Sequence, residues 1–331
     1  MPANMNRTPI SVAMCTFNGA RFLDAQLASF AAQTRLPNEL IICDDGSSDN
    51  SSEIVREFAR RAKFPVRLMV NDKNLGTTKN FEQAVRLCHG PIVALADQDD
   101  IWYPHKLDRI ENVFEAFPSV LAAFSDADLI DERSKPLGCG LWNALAFRRG
   151  EQRQFAQGKE LDVLIKHPVV TGATMAFRKE FFALATPLPP DESHDRWLAF
   201  LLAARGGIKL IPQPLMQYRR HGGQQIGPGP LTTHEKVAIA QARAGDFYRD
   251  EIHRFRELHS RFQERQRDFR NVDRIQEQIE RKIFHLQHRA ELAPIKLARI
   301  PKILHHAFNG NYWRYSGGWR SIAKDLLIRQ Q

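Results

Sequence analysis

Along residues 9–130, short apolar runs alternate with stretches whose apolar side chains recur every three or four positions. SVAMCTF, ELIICDD, VRLMVN, PIVALAD and VLAAFSD are each rich in Val, Ile, Leu or Ala and bounded by polar or turn residues, the signature of buried strands. Between them, residues 21–33, 49–63, 78–88 and 104–117 carry helical spacing. Ser48 or Asp49 suits the cap of the second helix, and Pro104 the first turn of the fourth. Strands alternating with helices predict an α/β fold whose mainly parallel sheet is flanked by helices. Residues 132–158 are polar, basic and glycine-containing, as expected of a mobile surface segment. VVTGATMAF, a helix over 193–205 and the strand-like IKLIPQPLMQYRRH follow, and GGQQIGPGP breaks the pattern as a linker. From His234 to about Leu292 a long helical pattern takes over. Phe255, Leu258, Phe262, Phe269, Val272, Ile279, Ile283 and Leu286 form a seam interrupted by Arg265 and Gln276, which suggests a helical hairpin or a coiled-coil contact between copies. The expected organisation is a catalytic-type α/β domain at 1–228 and a helical region at 229–331.

Composition narrows this picture a little. With 47 Lys and Arg against 38 Asp and Glu, the net charge of +9 suits an anionic partner without choosing among nucleotide, nucleic acid and lipid. No apolar run approaches the roughly 20 residues of a membrane span, and the N-terminal pattern is not that of a signal peptide. Cys15, Cys43, Cys88 and Cys139 have neither metal-ligand nor redox-pair spacing, so reduced thiols in the cytoplasm are expected.

In an open parallel sheet, ligands bind beyond the carboxyl ends of the strands. Three acidic groups fall at expected strand ends: Asp44-Asp45-Gly46-Ser47, Asp97-Gln98-Asp99-Asp100, and Asp126 with Asp128. A lone Asp there is ordinarily a turn or cap residue. Three carboxylates within four residues repel one another unless a proton or cation lies between them. Mg²⁺ or Mn²⁺ prefers such oxygen ligands and completes its shell with substrate phosphates.

SVAMCTFNGARFL, QTRLPNELIICDDGSSDNS, NLGTTKNFEQA and ALADQDDIWYPHKL, in this order and spacing across 9–110, resemble the family 2 glycosyltransferases of GT-A fold. That resemblance implies a nucleotide-sugar donor, with Thr16 and Asp45 near the base, Asp44 close by, and Asp97 on the donor. It makes Asp99 the metal ligand, with Asp100 as its rival, and lets Lys79 reach the diphosphate, though a solvated helix lysine is the simpler reading. Asp195 in HDRWLAFLLA stands in or near a helix's first turn, where the helix dipole favours a carboxylate. Related transferases have their catalytic base in a similar Asp-x-Trp setting, which makes Asp195 the candidate base and Glu192 the fallback. In YRRHGG the resemblance gives His221 to the metal shell and Arg219 or Arg220 to the diphosphate. Thr171-Gly172-Ala173 resembles the loop lining the donor-sugar and acceptor side. The implied chemistry is a single inverting displacement, base-assisted at the acceptor hydroxyl and metal-assisted at the leaving group.

HDRWLA, YRRHGGQQIG and NYWRYSGGWRSIAKDLL resemble bacterial rhamnosyltransferases of O-antigen and cell-wall glycan assembly. They imply dTDP-L-rhamnose as donor and a polyprenyl-diphosphate-linked glycan as acceptor. The basic, aromatic stretch 294–331 is then expected to bring the chain to the inner face of the bacterial membrane, unless its aromatics pack back onto the protein or a second subunit. A sugar-phosphate nucleotidyltransferase is the nearest rival enzyme, but PISVAMCTFNGARF lacks its glycine-rich loop. A G-x-G-x-x-G dinucleotide fingerprint is missing too. A basic helical scaffold or nucleic-acid binder would leave the ordered Asp motifs unexplained, and no nucleic-acid partner is expected.

Overall fold

The computed structural model describes residues 7–222, 244–293 and 295–327, without the side chains of 244–246 and 296. The chain forms two compact units, Met1–Glu160 with Val169–Gly227, and Leu161–Pro168 with Pro228–Gln331.

The first unit is a mixed α/β layer structure. Its strands are β1 Ile10–Thr16, β2 Glu39–Asp44, β3 Val66–Val70, β4 Ile92–Ala96, β5 Ile101–Trp102, β6 Ala122–Asp131, β7 Pro136–Gly140, β8 Met175–Arg178 and β9 Ile208–Arg220. Among the described residues they make one sheet of order β3-β2-β1-β4-β8-β6-β9-β5, with β7 beside β6. The first four pair in parallel, as the alternation predicts. β8 then runs antiparallel to both β4 and β6, and β9 runs parallel to β6.

Side chains alternate across each strand. Ile10, Val12, Met14, Leu40, Ile42, Ile92 and Ala94 bury one face against Leu23, Leu27 and Phe30 of the helix Ala20–Ala31. The opposite face receives the helix Thr77–Leu87 through buried Phe81, Ala84 and Val85. Two register pairs, Thr16 with Asp44 and Met14 with Ala96, align the carboxyl ends of β1, β2 and β4.

Two expectations need correction, and one strand was not expected. Residues 132–158 are ordered: Trp142 on the helix Leu141–Ala144, Phe147 on the connection after it and Phe155 on the helix Arg149–Ala156 surround Phe124, at ring separations of 5.5, 6.1 and 5.3 Å. Pro104 precedes its helix, which spans Lys106–Ala116. The two-residue strand β5, too short to leave a periodicity, pairs with Gln217 and Met216 of β9.

In the second unit the helices Ala244–Glu264 and Val272–Ala290 form an antiparallel hairpin. Tyr248 meets Arg289, Phe255 meets Lys282, and His259 meets Glu280, a sequence of contacts running in opposite directions. Phe255, Leu258, Phe262, Phe269, Ile279 and Leu286 of the expected seam are buried within this one chain. The helices Lys296–Phe308, Asn311–Tyr315 and Trp319–Leu327 add a small core of Leu292, Ile303, Tyr312 and Ile322. The first of these runs through Pro301, and the breaks come at Gly310, whose φ is +72°, and at residues 316–318. Most of the 222–230 linker and the start of the 234–292 pattern lie outside the described residues.

Candidate active site

At the end of β1 and β2, Thr16 Oγ1 donates to Asp44 Oδ2 at 2.7 Å, and Ser47 donates to both Asp44 oxygens, from its N–H at 2.8 Å and its hydroxyl at 2.7 Å. Asp45 accepts from Asn71 Nδ2 at 2.9 Å, Leu75 N–H at 2.8 Å and Gly76 N–H at 2.9 Å. The structure brings Thr16, Asp44 and Asp45 together, and all three are buried. Their polar groups are already engaged, so they set the loops after β1, β2 and β3 in fixed positions.

The acidic loop after β4 is held by Gln98, which the sequence did not single out. Its Oε1 accepts the Phe17 N–H at 2.8 Å and its Nε2 donates to the Phe17 carbonyl at 3.1 Å. A Cβ on Gly19 would stand 2.0 Å from Gln98 Oε1, so a larger residue there would push the Gln98 side chain out of these bonds.

β5 then turns the loop against β9. Asp99 Oδ2 lies 2.8 Å from His221 Nε2, and Phe22 packs on the imidazole with ring centroids 4.9 Å apart. Asp100 points inward, fully buried. Its Oδ1 accepts the Arg219 N–H at 3.0 Å and its Oδ2 has no partner. The two candidate ligands therefore differ in setting: Asp99 faces His221, and Asp100 is enclosed.

Arg219 is buried as well. Its Nε donates to the Asp99 carbonyl at 2.6 Å and its Nη1 to the Asp131 carbonyl at 3.1 Å and Ser134 Oγ at 2.9 Å. Its guanidinium sits 4.8 Å from the Phe22 ring centre. These bonds fasten β9 to the acidic loop. Arg220, also buried, has an Nε without a partner.

Beneath the carboxylates lies Lys106, fully buried and not anticipated. Its Nζ donates to the Ala173 carbonyl at 2.6 Å and rests 3.8 Å from the Trp102 ring centre. Burial pulls its pKa down to about 7, against the opposing pull of Asp100 and Asp97. Burial, with Asp99 and Asp195 facing it, pushes Asp97 up to about 7. Asp100 is raised by burial and then by Asp99 and Asp97. Burial first, and mutual repulsion after it, thus work against ionisation of Asp97 and Asp100.

Asp195 stands in the first turn of the helix His194–Arg205. Its Oδ2 accepts the Gly172 N–H at 2.8 Å; its Oδ1 accepts the Arg196 N–H at 2.7 Å and the Ser193 hydroxyl. A Cβ on Gly172 would stand 2.6 Å from His194 Nε2, which explains the glycine in Thr171-Gly172-Ala173. His194 stacks on Phe81 at 4.0 Å, and burial lowers its pKa. Glu192, the fallback base, is buried; its backbone carbonyl accepts Thr78 Oγ1 and its carboxylate the Ser193 N–H at 2.9 Å. Lys79 pairs with Glu82 at 3.0 Å. The third acidic group is structural, contrary to expectation. Asp126 and Asp128 lie within β6 rather than at its end; Asp126 accepts the Trp142 N–H at 2.9 Å and Asp128 accepts Tyr103 OH at 2.7 Å.

Loops gathered at the carboxyl ends of parallel strands, with a carboxylate cluster and a separately anchored carboxylate, define a group-transfer site of GT-A type. The chain belongs to glycosyl transferase family 2, whose family model matches residues 11–183, more than half its length. It is accordingly a glycosyltransferase, which sets aside the nucleotidyltransferase and scaffold alternatives. An uncharacterised glycosyltransferase of Nostoc sp. is 28% identical over 245 residues, covering 70% of this chain and 71% of that protein. A UDP-Glc:alpha-D-GlcNAc-diphosphoundecaprenol beta-1,3-glucosyltransferase of Escherichia coli is 32% identical over 99 residues, 30% of this chain and 38% of that protein. Among solved structures, a mannosyltransferase from Pyrobaculum calidifontis in complex with GDP-Man and Mn²⁺ shares the fold with a TM-score of 0.51 and 18% identity, over 93% of this chain and 77% of that one.

Proposed function

We propose that the enzyme transfers L-rhamnose from dTDP-L-rhamnose, with inversion, to a hydroxyl of a polyprenyl-diphosphate-linked bacterial surface glycan, assisted by Mg²⁺ or Mn²⁺. The observation that carries the reaction class is Asp195: one carboxylate, fixed by the Gly172 N–H and within electrostatic reach of Asp97. A carboxylate offers about four lone-pair sites, and three are used here, which leaves capacity to accept the acceptor's proton. A retaining double displacement needs a second carboxylate as nucleophile, a role this reading does not require.

The residues suit a divalent ion. Asp99 supplies a carboxylate oxygen and His221 an imidazole nitrogen, 2.8 Å apart. Adjacent ligands about 2.1 Å from an octahedral ion stand roughly 3 Å apart, close to this separation. Among the described residues no group of three His, Cys, Asp or Glu side chains could hold an ion, so water and donor phosphates would supply the remaining ligands. When bound, such an ion neutralises charge developing on the diphosphate leaving group. Asp97 would contact the donor, Thr16, Asp44 and Asp45 order the base-binding loops, and Arg219 and Arg220 add positive charge on the diphosphate side. The rhamnose assignment rests on HDRWLA and YRRHGG. The lipid-linked acceptor is supported by those motifs and by the diphosphoundecaprenol acceptor in the name of the Escherichia coli relative.

A panel of nucleotide sugars with wild-type and Asp195→Asn protein tests this reading. The wild type should use dTDP-L-rhamnose, and the variant should lose roughly 10² to 10⁴ in turnover while retaining donor binding. Transfer by the variant within tenfold of wild type would remove Asp195 as the base. Exclusive use of UDP- or GDP-sugars would remove the rhamnose assignment and leave the reaction class standing.

A further inference from the structure

The helix Lys296–Phe308 has two apolar sides. Arg299, Ile303 and His306 are buried, and the inward side packs on the core of the C-terminal unit. Leu297, Ile300, Leu304 and Phe308, spaced three or four residues apart, form a stripe turned to solvent, with exposures of 77%, 38%, 49% and 87%. A solvent-facing helix of a globular protein ordinarily carries polar groups on that side. On the neighbouring helices Trp319 is 72% exposed and meets Trp313 edge-on at 5.2 Å.

Within 295–327 the exposed charges have one sign. Lys302, Arg314 and Arg320 are exposed. Asp325, the sole acidic residue of 295–327, is buried against Arg289. Apolar side chains, interfacial tryptophans and cations without intervening acids are complementary to an anionic bilayer surface. A second copy would bring like charges together, which opposes self-association through the same face.

We propose that this face docks on an anionic lipid surface, with Leu297, Ile300, Leu304, Phe308 and Trp319 entering the interface and Lys302, Arg314 and Arg320 meeting the headgroups. No helix among the described residues is long and apolar enough to cross a membrane, so the association is peripheral for this part of the chain. The inference rests on the C-terminal unit alone and is independent of the donor and acceptor assigned above.

Co-sedimentation of the full chain with vesicles tests it. Wild type should bind phosphatidylcholine vesicles containing about one-third phosphatidylglycerol, release them in high salt, and bind pure phosphatidylcholine far less. Lys302→Gln, Arg314→Gln and Arg320→Gln together should weaken binding roughly 100-fold, about five-fold for each cation. Leu304→Ser with Phe308→Ser should weaken it at least about ten-fold. All these substitutions are at exposed positions, and unchanged circular dichroism and thermal midpoint would show that the fold is kept. Equal vesicle binding by both variant sets, or equal binding to neutral and anionic vesicles, overturns the proposal. So does a doubled mass in light scattering that Phe308→Ser abolishes while lipid binding is nil, since the face would then join copies of the chain.

Discussion

Replacing Asp325 by alanine should destabilise the C-terminal unit by about 4 kcal/mol. The carboxylate is buried and accepts from Arg289 Nε at 2.7 Å, Arg289 Nη2 at 2.9 Å and Tyr312 OH at 2.7 Å, with Tyr248 OH at 3.4 Å. Removing one partner of a buried ion pair costs about 3–5 kcal/mol, because the other charge stays desolvated and uncompensated. The tyrosine bonds belong to the same network, so their loss is contained in that figure rather than added to it. Asp325→Asn keeps one acceptor oxygen and should cost about half as much. Arg289→Met combined with Asp325→Leu removes both charges and should recover most of the loss. Urea unfolding followed by the emission of Trp313 and Trp319, with Ala323→Ser as an exposed control, measures each value through the midpoint and slope. A cost below about 1 kcal/mol for Asp325→Ala, or a double variant as unstable as the single one, would refute the account of a buried, mutually dependent pair.

Chelation and acid test two other parts of the molecule. EDTA should abolish transfer and Mg²⁺ or Mn²⁺ restore it, and Asp99→Ala or His221→Ala should weaken metal-dependent donor binding by more than the roughly 10–100-fold that outer-shell groups cost. Full activity in chelator, measured as nucleotide release, would dismiss the ion. In the C-terminal unit, burial pulls His285 down to about 2 and His306 to about 4 from the ordinary 6.5. These two histidines therefore bind more protons in the unfolded chain than in the folded one below pH 6.5, and their contribution to stability is lost as pH falls from there toward 4. Thermal midpoints of wild type should drop over that window more steeply than those of His306→Gln; parallel curves would exclude the histidine as a source of the acid sensitivity.

The parallel half of the sheet was legible because β1, β2 and β4 are buried on both faces and its helices are long enough to show their period. β3, with Met69 and Val70 exposed, is an edge strand rather than the buried one its apolar run predicts. Residues 132–158 were not, for a physical reason. Trp142 and Phe155 sit on two helices of four and eight residues and Phe147 on the connection between them, so no window is long enough to show a repeat. Their burial comes from Phe124, far away in sequence. The same limit hid β5, whose two residues acquire meaning through Met216 and Gln217. The C-terminal seam was visible as a pattern, but the choice between a hairpin and contact with a second copy depended on the turn at residues 265–271, which lets one chain supply both sides.

At the site, the sequence displays which residues carry charge and conceals which face inward. Asp97, Asp99 and Asp100 are equivalent as letters; the pairing of β5 with β9 separates them, setting Asp99 beside His221 and Asp100 under the Arg219 backbone. Lys106 has the spacing of an ordinary helix lysine, yet its ammonium ends on the Ala173 carbonyl below the acidic loop. Burial drives Asp97 and Lys106 in opposite directions, both toward their neutral forms, so neither fully satisfies the other. A divalent charge arriving beside Asp99 would favour the ionised form of the neighbouring carboxylates and reverse the effect of burial on them. Such a balance is a property of depth and distance, which is why the lysine that opposes the cluster's charge stayed hidden until the fold was known.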